Sequence, residues 1–286
     1  MPTEMINGYH MYYEVHGAGD PFVWIHGGLG GGEGSAGFST QHAAAMEARS
    51  RFIIFDRRTA GRSDSEESSD SMSHSESPAD DYSMKVFAED VAALLRHLDV
   101  DRAHVLGSSA GGPIALTLAL DHPELVKTLH LINTMTYASA PERQARQEEL
   151  DAALEAERAH GREAAAERAV LFRQPNLKIE RPEQFQTLYN IRLERFEGIN
   201  RTIQAYLNID DSIEKRLGEI RIPTLIVHGS ADTTIPVRCA DDLHRGITGS
   251  EIHIIPGAVH GLTQNEPEQT RKFILDFLDR VPQPAR

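Results

Sequence analysis

The sequence predicts an α/β fold: a mostly parallel central sheet flanked by helices, with a helical insertion after the sixth strand. Three observations carry this. Short apolar runs bounded by glycine, asparagine or charge recur through the first half of the chain. A clear amphipathic helical pattern lies between two of them. Strand-like runs then return near the C-terminus, after a long charged stretch that contains none. Strand, helix and strand in alternation build a parallel sheet, because a parallel neighbour is reached only through a crossover.

Taken in order, the first residues, MPTEMINGYHMYYEVHG, lack a basic start and an apolar stretch, and read as a polar hairpin beginning the fold, not as a secretory signal. Strand candidates follow at PFVWIHGG from Pro21, RFIIFDRR from Arg51, AHVLGSSAGG from Ala103 and TLHLIN from Thr128. Between the second and third, Met84 to Leu98 places Val86, Phe87, Val91, Leu94, Leu95 and Leu98 on one stripe, with Ser83 in position to cap the start. From about Tyr137 to Arg216 the chain is charged and helix-rich. PTLIVHG from Pro223 and SEIHIIPG from Ser250 resume the sheet, and an amphipathic helix runs from about Pro267 to Leu278. The expected organisation is a first core part, 1–136, an inserted helical block, 137–216, and a second core part, 217–286.

Composition narrows the function classes. Aliphatic and aromatic residues make up 40% of the chain and charged residues 25%, ordinary for a globular domain. No apolar run approaches the roughly 20 residues of a bilayer crossing, so a cytoplasmic protein without a membrane partner is expected. The net charge is −14 and no cluster of Lys and Arg appears, which argues against a nucleic-acid partner. Half of that charge comes from seven acidic residues in Asp64–Asp81, a serine-rich segment expected to be a solvated loop. It lacks the spaced carboxylate pattern of a calcium loop, and the single Cys239 excludes an intramolecular disulfide or a Cys-rich zinc site. Neither a metal nor a cofactor is expected.

The chemistry concentrates around one turn. Gly107-Ser108-Ser109-Ala110-Gly111 directly follows an apolar strand and opens the helical run GGPIALTLALDHP. A serine on a sharp strand-to-helix turn is held in a strained backbone conformation, and flanking glycines let strand and helix approach closely. Only Ser109 has glycine two before and two after it, so Ser109 is the candidate nucleophile. Pro113 sits within the first helical turn, where a missing N–H costs nothing. Serine needs a base, and the base needs an orienting group. Asp232, in HGSADTTIP, and His260, in IIPGAVHGLTQNEP, each follow a strand and so face the same sheet edge as Ser109. Read alone, Asp232 is a turn-forming aspartate and His260 a solvated loop histidine. The oxyanion donors are expected from the backbone N–H groups of Ala110 and of Gly28, in the glycine-rich WIHGGLGGG. That segment has no Walker lysine and does not keep dinucleotide-binding spacing.

These segments together resemble the α/β-hydrolase superfamily over essentially the full chain. HGGLG resembles its oxyanion loop, DRRTAGRS from Asp56 its turn after the next strand, GSSAGG its nucleophile elbow, and HGSADTTIP and GAVHGLTQNEP its acid and histidine loops. The resemblance implies a triad of Ser109, Asp232 and His260, in the family's chain order. It also implies that the helical block is a lid over the site, with Phe185, Tyr189, Phe196 and Tyr206 as candidates to line a pocket. Two departures are visible: Thr59 stands where glycine is usual, and Val259 precedes His260 where glycine is common.

The expected activity is acyl transfer to water on a small, partly apolar ester or lactone, with no cofactor. Serine at the elbow argues against the dehalogenase and epoxide-hydrolase branches, which need a carboxylate there. A prolyl iminopeptidase-like aminopeptidase is an alternative, with Glu194 and Glu197 as candidates to hold a substrate amine. A lyase or a cofactor-free haloperoxidase on the same residues is another, and a non-hydrolytic small-molecule receptor on the same fold is an alternative from outside catalysis.

Overall fold

The computed structural model describes residues 3–28, 36–58, 60–63, 82–136, 140–209 and 211–281. Its N-terminal hairpin pairs β1 (Thr3–Ile6) with β2 (Tyr9–His16). The turn between them is Asn7-Gly8, both at positive φ (47° and 85°), as a two-residue hairpin turn matched to strand twist requires. Strands β3 (Asp20–Ile25), β4 (Ser50–Phe55), β5 (Ala103–Ser108), β6 (Val126–Ile132), β7 (Thr224–Gly229) and β8 (Glu251–Ile255) complete an eight-stranded sheet of order β1-β2-β4-β3-β5-β6-β7-β8. The β1–β2 and β2–β4 pairs are antiparallel and all the others parallel.

Helices cover both faces. These are α1 (Ala36–Glu47), α2 (Met84–His97) and α3 (Gly111–Asp121) in the first part, with α10 (Arg238–Gly246), α11 (Leu262–Asn265) and α12 (Pro267–Arg280) in the last. Alternation along each strand sorts the core into two layers. Phe22 and Trp24 join Phe52, Ile54, Leu106, Val227 and Phe277 on one face. Val23 and Ile25 join Ile53, Val105, Leu131, Leu94 and Ile114 on the other. Each such fully buried side chain contributes about 1.5–3 kcal/mol through removal from water. Helix α2 is capped by Ser83, whose hydroxyl accepts from the Val86 N–H at 3.3 Å, and it ends at His97 with Leu98 as its C-cap.

Between β6 and β7 the chain forms α4 (Ala140–His160), α5 (Arg162–Arg173), α6 (Leu177–Glu180), α7 (Pro182–Glu194), α8 (Phe196–Leu207) and α9 (Ser212–Arg216). This block has apolar clusters of its own: Ala153, Ala165, Ala169 and Phe196 in one, Leu150, Ile199 and Ile203 in another. Arg195 ties it to the sheet part by donating to the carbonyls of Gly61 and, at 3.2 Å, of Ser63. The acidic segment Asp64–Asp81, Thr59 and the start of the block at Tyr137 lie outside the described residues. Among the described residues no helix is long and apolar enough to cross a membrane.

Register places the functional segments. Ile25 lies opposite Gly107, Ser108 opposite Ile132, Ile132 opposite Val227, and Gly229 opposite Ile255. The C-terminal ends of five parallel strands are therefore level, and the loops that leave them emerge along one edge.

Candidate active site

Ser109 follows β5 directly and has φ +50°, the left-handed region that L side chains pay to enter. Its backbone is held on both sides: its N–H donates to the Ile132 carbonyl at 2.9 Å, and its own carbonyl accepts from Thr134 Oγ1 at 2.6 Å. The turn closes only because glycines flank it. A Cβ on Gly107 would lie 2.6 Å from the Gly111 carbonyl oxygen, and one on Gly111 would collide with the carbonyl of Ile25.

The three sequence-predicted polar residues come together at this edge. Ser109 Oγ lies 3.0 Å from His260 Nε2, and His260 Nδ1 lies 2.8 Å from Asp232 Oδ2. With its Nδ1–H directed at the carboxylate, His260 presents a bare Nε2 to the serine hydroxyl. Asp232 is 6% exposed, whereas the His260 side chain keeps 27% of its surface open. Asp232 Oδ1 accepts the N–H groups of Thr234 (2.9 Å) and Ile235 (2.8 Å), so the residue forms a tight turn with one oxygen and orients the histidine with the other. One carboxylate thus makes both the turn contacts and the contact to His260. Burial alone would raise the Asp232 pKa, but the hydrogen bonds from His260 and from the Ile235 and Thr234 N–H groups outweigh it and hold it below the ordinary value.

The glycine-rich segment after β3 lies alongside. A Cβ on Gly27 would come within 2.9 Å of Ser109 Cβ, so this loop passes directly beside the serine. Gly28 has φ +85° and is exposed. Arg57 donates to the carbonyls of Gly27 (3.2 Å) and Gly28. In a trans peptide C=O and N–H point oppositely, so the Gly28 N–H is turned away from Arg57. His26, at the end of β3, accepts the Arg57 backbone N–H at 3.0 Å, and burial together with the nearby guanidinium lowers its pKa to about 3. It is a neutral structural histidine. Ala110 is the N-cap residue of α3.

Several residues at this edge carry no motif of their own. Asn133, the residue after β6, donates to Asp232 Oδ2 at 2.6 Å. Its neighbour Thr134 holds the serine carbonyl. Tyr206 of α8 donates its hydroxyl to the Ala110 carbonyl, and burial pushes that phenol up to about 12, so it retains its proton. Of the four aromatics the family resemblance places near a pocket, Tyr206 is the one that reaches the elbow with a hydrogen bond. Phe196 packs into the block's own core beneath the Arg192 guanidinium (5.1 Å), and Phe185 stacks on Tyr189 at 5.8 Å. A run of helix-spaced aromatics satisfies its own bundle first. Among the described residues no group of three or more His, Cys, Asp or Glu could hold a metal ion.

The chain belongs to the alpha/beta hydrolase fold family, whose model matches residues 20–263. The sheet order is what that match describes in three dimensions. Over 280 residues the chain is 30% identical to the "Putative carbamate hydrolase RutD" of Variovorax paradoxus, covering 96% of this chain and 98% of that one. Among solved structures it is similar to the enol-lactonase from Burkholderia xenovorans LB400, with a TM-score of 0.75, 22% identity, and coverage of 98% of this chain and 100% of that one. A thermophilic esterase from Thermogutta terrifontis matches at a TM-score of 0.73 and 23% identity, covering 96% and 95% of the two chains. At those identities the two structures testify to the fold alone.

Proposed function

We propose that this hydrolase cleaves a carboxylic ester or lactone of a small, partly apolar substrate through an acyl-enzyme on Ser109. The observation that carries the reading is the continuous hydrogen-bonded line Ser109–His260–Asp232. His260 Nε2 takes the hydroxyl proton as Ser109 Oγ attacks the carbonyl carbon, and Asp232 stabilises the imidazolium that forms. The N–H groups of Gly28 and Ala110 receive the oxyanion. Collapse expels the alcohol, which leaves with the proton from His260. Water, deprotonated by the same imidazole, then attacks the acyl carbon and frees the acid and the serine. No cofactor enters any step, and the helical block serves as a lid.

A second reading, carbamate hydrolysis, is favoured by the relatives at 27–30% identity that are named putative carbamate hydrolases. It uses the same attack on a carbonyl whose other neighbour is nitrogen. The aminopeptidase reading is weaker, because Glu197 is engaged with Arg162 at 3.2 Å and Glu194 is exposed.

Reaction with a fluorophosphonate, followed by mass mapping, tests the nucleophile: label on Ser109 is expected, and label elsewhere overturns the assignment. A burst of product from p-nitrophenyl acetate, lost in Ser109→Ala, separates an enzyme from a receptor on the same fold. Comparing that ester with an aryl carbamate and a proline arylamide then ranks the three substrate classes.

A further inference from the structure

The geometry points to Asn133 as a positioning residue of this reaction, one planar amide holding Asp232 and the His260 loop in register. The inference rests on the triad reading above. Asn133 is 1% exposed and takes φ +44°, a conformation that asparagine tolerates better than most residues. Its Nδ2 donates at 2.6 Å to Asp232 Oδ2, the same oxygen that faces His260. Its Oδ1 accepts the N–H of Leu262, two residues past His260, at 3.1 Å. Its own N–H donates to the Val227 carbonyl on β7 at 2.9 Å.

Chemistry fixes the orientation of this amide. Turned over, it would set its oxygen against the Asp232 carboxylate and its NH₂ against the Leu262 N–H, two repulsive contacts in place of two hydrogen bonds. Asparagine is thus specified by function: a carboxylate at this place has no proton to donate to Asp232 above its pKa, and an apolar side chain would leave a buried carboxylate lone pair and a buried N–H unpaired. With Asn133 in place, His260, Asn133, Thr234 and Ile235 occupy the four acceptor sites of Asp232. The carboxylate then has one orientation, set toward the imidazole.

Removing the Asn133 donor makes Asp232 Oδ2 more basic and freer to rotate. A more basic carboxylate favours protonated His260 at rest, so the acid limb of kcat/KM moves to higher pH. The other titratable groups facing this pair are His228, whose buried Nε2 is 3.5 Å from Asp232 Oδ2 while bonded to the Ile235 carbonyl, and Asp241 beyond it. Neither is altered in the variants below.

The test uses the full chain with Asn133→Gly, which keeps the positive φ at no steric cost, and Asn133→Ala, which removes the same amide at the cost of a left-handed alanine. Turnover of p-nitrophenyl acetate is measured along the acid limb, and the His260 ring is titrated by NMR, a readout that needs no turnover. Both variants are expected to lose kcat on the order of tenfold or more with little change in KM, as partners that orient a functional imidazole do. In both, the acid limb and the ring titration shift to higher pH. Wild-type kcat and an unmoved titration in either folded variant would overturn the inference. So would a loss of activity that only tracks the loss of folded protein. If one variant fails to fold, the other decides. If the wild-type chain turns over no ester, carbamate or arylamide, the triad reading falls, and the ring titration still judges Asn133.

Discussion

The phenol of Tyr206, on α8 of the inserted block, donates to the carbonyl of Ala110, the residue immediately after the elbow serine. Thr134 grips the same turn from the sheet side, through the Ser109 carbonyl at 2.6 Å. The elbow is thereby held between the block and the sheet, and loss of the Tyr206 contact is expected to be felt in turnover. Tyr206→Phe removes one neutral hydrogen bond, worth about 1 kcal/mol. We expect kcat/KM to fall about fivefold and the amide protons of α8 to exchange faster. Hydrogen exchange read by mass spectrometry, beside steady-state kinetics, checks both.

Ser109 carries backbone strain that a glycine would not. A left-handed conformation costs a non-glycine residue about 1–2 kcal/mol. Ser109→Gly should therefore raise Tm, by about 2–4 °C for each kcal/mol recovered, while abolishing ester turnover. Ser109→Ala should be equally inactive without the thermal gain. Calorimetry of the two variants side by side separates strain from nucleophile.

Gly111→Ala tests the packing of the turn. Its methyl group would meet the Ile25 carbonyl, which is backbone and cannot swing aside. Forcing the start of α3 away from β3 should cost about 1–3 kcal/mol and displace the loop that follows Ile25. Denaturant midpoints measure the first effect, and the rate of fluorophosphonate labelling measures the second.

Asp232 makes an acid-side prediction. Its pKa is lower folded than unfolded, so its contribution to stability is complete above the unfolded value, about 3.9, and is lost as pH falls through the folded value. Asp232→Asn should flatten the acid arm of the stability profile, because no proton is then taken up there on unfolding. The same change should lower kcat on the order of 10⁴-fold, since an amide no longer sets the imidazole tautomer. Urea unfolding across the acid range, with kinetics at neutral pH, reads both.

Much of the site was legible because each principal group sits in a short local context. Ser109 lies between glycines at the junction of a strand and a helix, and Asp232 and His260 each end a strand-length apolar run. Ser83 and the stripe from Val86 to Leu95 announced α2 in the same local way. Asn133 was visible only as the asparagine that ends TLHLIN. Its contacts, to residues 99 and 129 positions away, depend on β6 lying between β5 and β7, and no local pattern contains that. Tyr206 looked like its neighbours Phe185, Tyr189 and Phe196, because helical spacing reports which residues are buried, not against what. Helix α10 was equally silent: of RCADDLHRG only Ala240 and Leu243 are buried, too few for a stripe.

The helical block keeps two apolar clusters of its own, shares the sheet's core through Ala205, Tyr206, Ile209 and Ile213, and enters between two strands whose ends are already tied together by Asn133 and Val227. On the lid reading proposed above, substitutions in α4 to α7 are expected to alter what reaches the serine while the proton-transfer geometry stays as it was, whereas Arg195, Ala205, Tyr206 and Ile213 couple the block to the sheet part. A library confined to α4–α7 would put that division of labour to use in the search for new substrates.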